Sequence, residues 1–301
     1  MTNSEQEFRC GYAALVGRPN VGKSTLLNRL LGRKVSIVTP KAQTTRHRIL
    51  GIHNGDGVQI VFVDTPGLHR GRKNALNRAM NKAATASMPD ADIVVFLVEA
   101  LRWTPEDEDV LVKAIDSGRP VIAAVNKVDI VHPRERLLPF IQELSGRADF
   151  AAILPISAQK GSNVEALRSE VIALLPEGPA FFEAGQVSDR DDTFHCAEII
   201  REKLMQRLHQ ELPYGLAVEI ETFDKTPSLV KISAVIWIGR AAHKSIVIGK
   251  GGEQLKKCGS SARVDLEQFL GQKVHLELWV RVRENWSDSE KELNRLGFES
   301  Q

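Results

Sequence analysis

Apolar residues in the first part of the chain fall into short, uninterrupted runs at 12–17, 60–63, 93–98, 121–125 and 153–156. A strand exposed on one face alternates apolar and polar positions. A run apolar throughout fits a parallel strand covered on both faces. Between these runs, residues 24–31, 106–117, 134–145 and 164–175 repeat apolar positions at helical spacing, and Gly32 follows the first where a left-handed C-cap belongs. Strands alternating with helices predict an α/β, doubly wound, mostly parallel sheet.

The pattern changes after Pro176-Glu177-Gly178-Pro179, which breaks the last of these helices. A helix is predicted over 194–212, two strands of a hairpin over 216–223 and 230–238, and a turn at 225–228 between them. A short helix at 244–248, a longer one at 253–270 and a final alternating strand at 274–282 complete an α-β-β-α-α-β order, that of a small α+β domain. The predicted organisation is a first domain over 1–178, a linker over 179–186 and a second domain over 187–301.

Composition narrows the class. The 301 residues are 43% hydrophobic and 26% charged, ordinary for a globular protein and unlike a disordered or fibrous one. Lys and Arg number 40 against 38 Asp and Glu, so any nucleic-acid role requires a local patch. Cys10, Cys196 and Cys258 are odd in number and show no metal-ligand spacing, which suits reduced thiols in a cytosolic protein. The N-terminus has no apolar signal core, and the longest apolar run is far short of the ~20 residues of a membrane span, so a soluble protein is expected.

Gly17-Arg18-Pro19-Asn20-Val21-Gly22-Lys23-Ser24, followed by Thr25, fits G-x-x-x-x-G-K-[ST] between a predicted strand and helix. Its glycines let backbone N–H groups and the helix N-terminus face a phosphate. Lys23 would reach the β/γ-phosphates and Ser24 would supply a hydroxyl to Mg²⁺. Asp64-Thr65-Pro66-Gly67 follows another apolar run, where a carboxylate can hold Mg²⁺ and the Gly67 N–H can touch the γ-phosphate. Asn126-Lys127-Val128-Asp129 follows a third. Asp129 would accept from guanine N1–H and N2–H₂, Asn126 would help fix the base edge, and the Ala158 N–H after Ser157 would meet O6. Adenine would leave the carboxylate unpaired, which selects guanine. Four such motifs, each at the C-terminal end of a strand, predict a GTP-binding P-loop domain.

For hydrolysis, Lys23, Mg²⁺ and the loop amides, including that of Gly67, would stabilise charge. Thr44 and Thr45 are the candidates for completing the Mg²⁺ set, with Thr45 preferred. Leu68 stands where many signalling GTPases carry a water-orienting Gln; its side chain cannot hold water, so slow intrinsic hydrolysis is expected. Asn20 resembles the residue that several GTPases of this kind use to hold a monovalent cation, which places a candidate K⁺ there. His47, His53 and His69 receive no catalytic role, and Glu99, Arg102, Trp103 and Asp107 are read as structural.

In the second domain, Ile248-Gly249-Lys250-Gly251-Gly252 satisfies I-G-x-x-G between two helices, in the element order of a type II K-homology (KH) module. Such a loop clamps the backbone of single-stranded RNA. Lys231, Arg240, Lys244, Lys250, Lys256, Lys257, Arg263 and Lys273 surround it, opposed only by Glu253, Asp265 and Glu267. Base contacts are expected beside Ile246, Ile248 and the final strand. Trp279 and Trp286 are candidates for stacking, although Trp279 in an alternating strand is expected in the core. Two further basic stretches without an acid, 29–55 (Arg29, Arg33, Lys34, Lys41, Arg46, Arg48) and the segment after Leu68 (Arg70, Arg72, Lys73, Arg78 and Lys82), are read as a second nucleic-acid contact that senses GTP.

Taken together, GRPNVGKST, KAQTTRHRI, DTPGLH, NKVD, PISA and VIGKGG resemble the Era family of bacterial ribosome-assembly GTPases across essentially the whole chain. The resemblance implies a Ras-like GTPase domain joined to a type II KH domain. It also implies binding of the 3′ region of 16S ribosomal RNA, a role in rRNA processing and 30S subunit assembly, and a cytoplasmic location with peripheral inner-membrane association. By position it gives residues 17–25, 64–68 and 126–129 nucleotide-binding roles and residues 248–252 the RNA loop. No lipidation motif or amphipathic anchor supports the membrane part. A monomer is expected. Two other readings stay open on sequence: a signalling GTPase whose second domain binds protein or lipid, and a protein that uses GTP as a structural ligand.

Overall fold

The computed structural model describes residues 8–41, 43–67, 75–208 and 212–297. Along the chain run β1 (Arg9–Val16), α1 (Lys23–Leu31), β2 (Ile49–Gly55), β3 (Val58–Asp64), α2 (Ala75–Ala86), β4 (Ile93–Glu99) and α3 (Pro105–Asp116). There follow β5 (Val121–Asn126), α4 (Leu137–Ser145), β6 (Ala152–Pro155) and α5 (Val164–Leu174). The strands form a six-stranded sheet in the order β2-β3-β1-β4-β5-β6, parallel except for β2, which runs antiparallel to β3. Every residue of β3 and β5 is buried, as the uninterrupted apolar runs require.

β1 pairs with β3 on one side and β4 on the other, so the chain crosses in both directions at β1. Ligands of open α/β sheets bind outside the strand ends at such a switch point. Register brings the functional ends together: Leu15 lies beside Asp64, and Glu99 beside Asn126. α3 is held by a capping box in which the Thr104 side chain accepts from Asp107 N–H and the Asp107 carboxylate accepts from Thr104 N–H, with Pro105 in the first turn. Phe96, Val98, Val110, Leu111, Val125 and Leu144 share one fully buried core.

The second part comprises α6 (Asp192–Arg207), β7 (Leu216–Lys225), β8 (Leu229–Ile238), α7 (Ala242–Ile248), α8 (Glu253–Leu270), β9 (Lys273–Val282) and α9 (Glu290–Arg295). β7 and β8 form an antiparallel hairpin, and β9 pairs parallel with β8. A parallel neighbour needs a crossover, and α7, the glycine loop and α8 provide it. Cys196, Ile200, Leu204, Ile232, Ile236, Cys258, Ala262 and Leu266 form its core. Trp279 departs from the expectation of a core residue: it is 56% exposed, because alternation puts Leu276, Leu278 and Val280 inward and Trp279 outward. Trp286 is also corrected as a stacking candidate, being 1% exposed with its indole N–H donated to the Gly215 carbonyl at 3.2 Å.

The chain divides into two compact units, one formed by most of the residues up to Asp189 and the other from Arg190 onward. Residues Ile37–Thr44 and the first turn of α2 belong to the second unit. Residues 181–182 of the predicted linker bond within the first unit, where both Phe181 and Phe182 N–H groups donate to Gln59 Oε1. No described helix is long and apolar enough to cross a membrane.

Candidate functional site

The loop from Gly17 to Lys23 leaves β1 and enters α1. Gly22 sits at φ 106°, and a Cβ there would come within 2.3 Å of Asn126 Nδ2. A Cβ on Gly67 would stand 2.9 Å from the Pro19 backbone, so glycine is needed for both close approaches. Lys23 is buried, and its ammonium donates to the carbonyls of Gly17 at 2.9 Å and Arg18 at 3.1 Å. Burial pushes it down to about 8, against a partial upward pull from Asp64. A desolvated cation at a helix N-terminus is prepared for an anion.

Hydroxyl groups converge on Asp64. Its Oδ2 accepts from Ser24 Oγ at 2.8 Å, from Ser36 Oγ at 2.8 Å and from Thr45 Oγ1 at 3.5 Å, and Ser24 and Thr45 share a 2.7 Å bond. Burial raises the Asp64 carboxyl, opposed by Lys23 and these hydroxyls. Asp64 Oδ1 is buried with no hydrogen-bond partner among the described residues. An orphaned carboxylate oxygen beside two hydroxyls is a hard-oxygen set that fits Mg²⁺, which takes few protein ligands and completes its shell with phosphate and water. Ser36 is a contact that sequence reasoning missed, since a lone serine in a polar loop carries no signal.

Of the remaining predicted residues here, Thr65 is 1% exposed and donates to Leu15 O at 2.9 Å, joining β3 to β1. Pro66, Gly67 and Val21 are buried and Thr25 is half-buried. Asn20 is exposed at φ 62°. Leu68 lies outside the described residues. Arg18 does not project into solvent: it is 6% exposed and paired with Asp107 and Glu99.

The second edge of the site is built by β5 and β6. Asn126, expected to help fix the base edge, is a buried brace: Nδ2 donates to Val21 O at 2.7 Å and Oδ1 accepts from Ala158 N–H at 2.9 Å. It joins the phosphate loop to the 157–158 segment, and the Ala158 amide already has this partner. Ser157, fully buried, donates to Asp129 Oδ1 at 2.6 Å and so orients that carboxylate. Asp129, Val128 and Lys127 are half-buried around a 3₁₀ turn.

Thr44 and Thr45, adjacent in sequence, have separate surroundings. Thr44 Oγ1 bonds Lys41 O and Thr39 Oγ1, both at 2.6 Å, and its carbonyl accepts from Arg201 of α6. Only Thr45 joins Ser24 and Asp64. Three residues of the basic stretches are engaged within the protein. Arg29 donates to the carbonyls of Ala158, at 3.2 Å, and Gln159; Lys41 donates to those of Met205 and Leu208; and Arg46 is 2% exposed. Arg70, Arg72 and Lys73 lie outside the described residues.

In the second unit, Gly249, Gly251 and Gly252 all adopt positive φ, at 76°, 60° and 82°. Arg240, Lys244, Lys250, Lys256 and Lys257 are exposed, and Lys257 pairs with Glu253 at 2.5 Å. A groove of about 390 Å³ opens between α8 and β9, lined by Gly252, Leu255, Lys256, Arg263, Leu276 and Leu278 among others. Ile246 is 52% exposed beside the glycine loop, whereas Ile248 packs against the core. Trp279, on the opposite face of the sheet from Leu276 and Leu278, does not line this groove.

Comparison with known proteins agrees with this geometry. The 50S ribosome-binding GTPase family matches residues 12–127, and the KH domain family matches residues 211–287. GTPase Era of Coxiella burnetii (strain Dugway 5J108-111) is 49% identical over 290 residues, covering 96% of this chain and 98% of its own. GTPase Era of Stenotrophomonas maltophilia (strain R551-3) is 50% identical over 297 residues, covering 98% and 100%. Among solved structures, Era in complex with MgGDPNP and nucleotides 1506–1542 of 16S ribosomal RNA superposes with a TM-score of 0.93 at 39% identity, covering 97% of this chain and 99% of that one. An Aquifex aeolicus Era variant bound to GDP·AlF₄⁻ gives the same values.

Proposed function

Because the chain belongs to the Era family of GTPases, with a P-loop GTPase domain followed by a KH domain, we propose that its nucleotide state governs how the KH domain engages the 3′ region of 16S ribosomal RNA, in rRNA processing and 30S subunit assembly. The observation that carries the reading is the cluster around Asp64: an orphaned carboxylate oxygen, two hydroxyls and a buried ammonium. Ser24, Thr45 and Asp64 would hold Mg²⁺, which would neutralise charge developing on the phosphates. Lys23 and the amides of residues 17–25 and of Gly67 grip the β- and γ-phosphates. Asp129, oriented by Ser157, accepts from the guanine edge.

Leu68 in place of a water-orienting Gln supports slow intrinsic turnover. K⁺ beside Asn20 would add charge at the phosphates, and turnover that is equal in K⁺ and Na⁺ buffers would exclude it. Two consecutive residues support coupling to RNA: Thr45 bonds within the proposed nucleotide site, while Thr44 is held by Arg201 of α6. A peripheral membrane association and a monomeric state complete the proposal.

The test is RNA binding by the full chain at fixed salt, with GTP analogue or GDP, against a 16S 3′ fragment. The Lys250→Asp/Gly251→Asp variant should lose at least about tenfold in affinity, because two carboxylates replace a cation and a backbone approach to phosphate. Binding that ignores this variant rejects the KH reading. Equal affinity in both nucleotide states rejects the coupling.

A further inference from the structure

Glu99 ends β4 and is outside the nucleotide motifs, yet its carboxylate joins two of them. Oε2 accepts from Arg18 NH2 at 2.6 Å and lies 3.2 Å from Lys127 Nζ. Arg18 is the second residue of the phosphate loop. Its Nε donates to Asp107 Oδ2 at 3.2 Å, and Asp107, fully buried, also accepts from Thr104 N–H at 2.9 Å and Thr104 Oγ1 at 2.7 Å. Arg18 is thus fixed from the α3 side, and Glu99 extends that fixed point to Lys127.

Lys127 has reason to need an anchor. It sits between Asn126 and Asp129 at φ 67°, a left-handed conformation that side-chain-bearing residues avoid. From there the chain turns directly into the 3₁₀ segment Val128–Ile130 that carries Asp129. Burial would raise the Glu99 carboxyl, but Arg18 and Lys127 outweigh it and hold the group below the ordinary carboxylate range, so it remains a charged anchor near neutral pH. The Asn126 Nδ2 bond to Val21 O is a second, independent link between the same two segments.

We infer that Glu99 is a positioning residue for guanine recognition, holding Lys127 and the turn that bears Asp129 in register with the phosphate loop. The inference rests on the reading that Asp129 accepts from the base. Its consequence is that discrimination between bases depends on a carboxylate outside every recognised motif. Arg102, 3.8 Å from Glu99 and largely exposed, is peripheral to this network.

The experiment uses the full chain and two probes, GDP and inosine diphosphate, which lacks the 2-amino group. In wild type the affinity ratio favours GDP. Glu99→Gln keeps shape and removes charge, and should lower that ratio by about three- to fivefold, the scale of a partly exposed ion pair. Lys127→Met should lower it similarly, and adding Glu99→Gln to Lys127→Met should lower it no further, since both remove one interaction. Arg102→Ala should leave the ratio unchanged. If Glu99→Gln weakens both nucleotides by the same factor, or neither, the positioning role is overturned. Asp129→Ala separates the premises: a GDP preference that survives it overturns the guanine reading and this inference together. A preference lost in Asp129→Ala but intact in Glu99→Gln overturns this inference alone.

Discussion

Lys23 is an ammonium that folding has stripped of water before any phosphate arrives. Burial lowers it from 10.5 to about 8, so between those values the unfolded chain binds the extra proton and the folded chain does not. Stability of the nucleotide-free protein therefore rises with pH across that window, and the cost of the buried charge is fully present below about 8. A bound phosphate reverses the effect by favouring the charged form. Nucleotide binding above pH 8 should thus take up a proton, and affinity should fall as pH rises. Calorimetry near pH 8.5 in buffers of different ionisation enthalpy checks this: a binding enthalpy independent of buffer would refute it. The two tryptophans make a second contrast at this scale. Trp286→Ala should cost about 3–5 kcal/mol in denaturant melts, and Trp279→Ala under about 1 kcal/mol, because only Trp286 fills a core site. In sequence they look reversed. Trp279 sits in a regular strand whose period does not say which face is inward, and Trp286 sits after the last strand, where burial has no periodic signal. Asp107 was equally hidden: acids in a first helical turn look solvated, and full burial follows from Arg18 behind it together with the Thr104 cap.

Elements were legible in proportion to how much of their own sequence decides them. The predicted helix at 253–270 coincides with α8, and the apolar runs match β1, β3, β4, β5 and β6 to within a few residues at each end. β2 escaped because its residues Ile49–Gly55 include Gly51, His53 and Asn54, a composition that reads as a loop. The structure explains one of these choices: a Cβ on Gly51 would come within 2.6 Å of Leu27 and Leu31, so α1 packs on β2 only over a glycine. The α7–α8 connection is the converse case, fully announced by its glycines, which nevertheless do different work. A Cβ on Gly249 would lie 2.8 Å from Gln254 Cβ, whereas nothing stands within 4 Å of one on Gly251. Gly249 also combines φ 76° with ψ 172°, a region essentially reserved for glycine. Gly249→Ala should therefore destabilise by about 3 kcal/mol and Gly251→Ala by about 1 kcal/mol, the backbone term alone. Thermal melts of the two variants in the full chain decide it, and equal shifts would mean that the close approach at Gly249 is relaxed away.

At the scale of the whole molecule, chain order and compact units do not coincide. Ile37–Thr44 is bracketed in sequence by Ser36 and Thr45, both bonded to Asp64, yet it belongs to the unit that contains α6. Sequence reading saw only a basic, polar loop, because no local pattern records which helix will receive it. Within that unit Val38 N–H donates to Glu202 Oε1 at 2.8 Å, Arg201 donates to Thr44 O, and Lys41 reaches the carbonyls of Met205 and Leu208 at the end of α6. A cation on the last carbonyls of a helix satisfies groups that the helix cannot, and complements its dipole. If Thr45 closes onto a metal and γ-phosphate as proposed, it pulls through one peptide bond on a segment whose other end is tied to α6. Lys41→Met removes the tie while keeping the apolar stem and leaving no buried charge unpaired. The expected result is unchanged GDP affinity but a ratio of RNA affinities, GTP analogue over GDP, that collapses toward one. Thr45→Ala should give the same collapse from the other side of the peptide bond. If the ratio survives Lys41→Met and falls only with Thr45→Ala, the nucleotide signal leaves the site by another route and the tie to α6 serves stability alone.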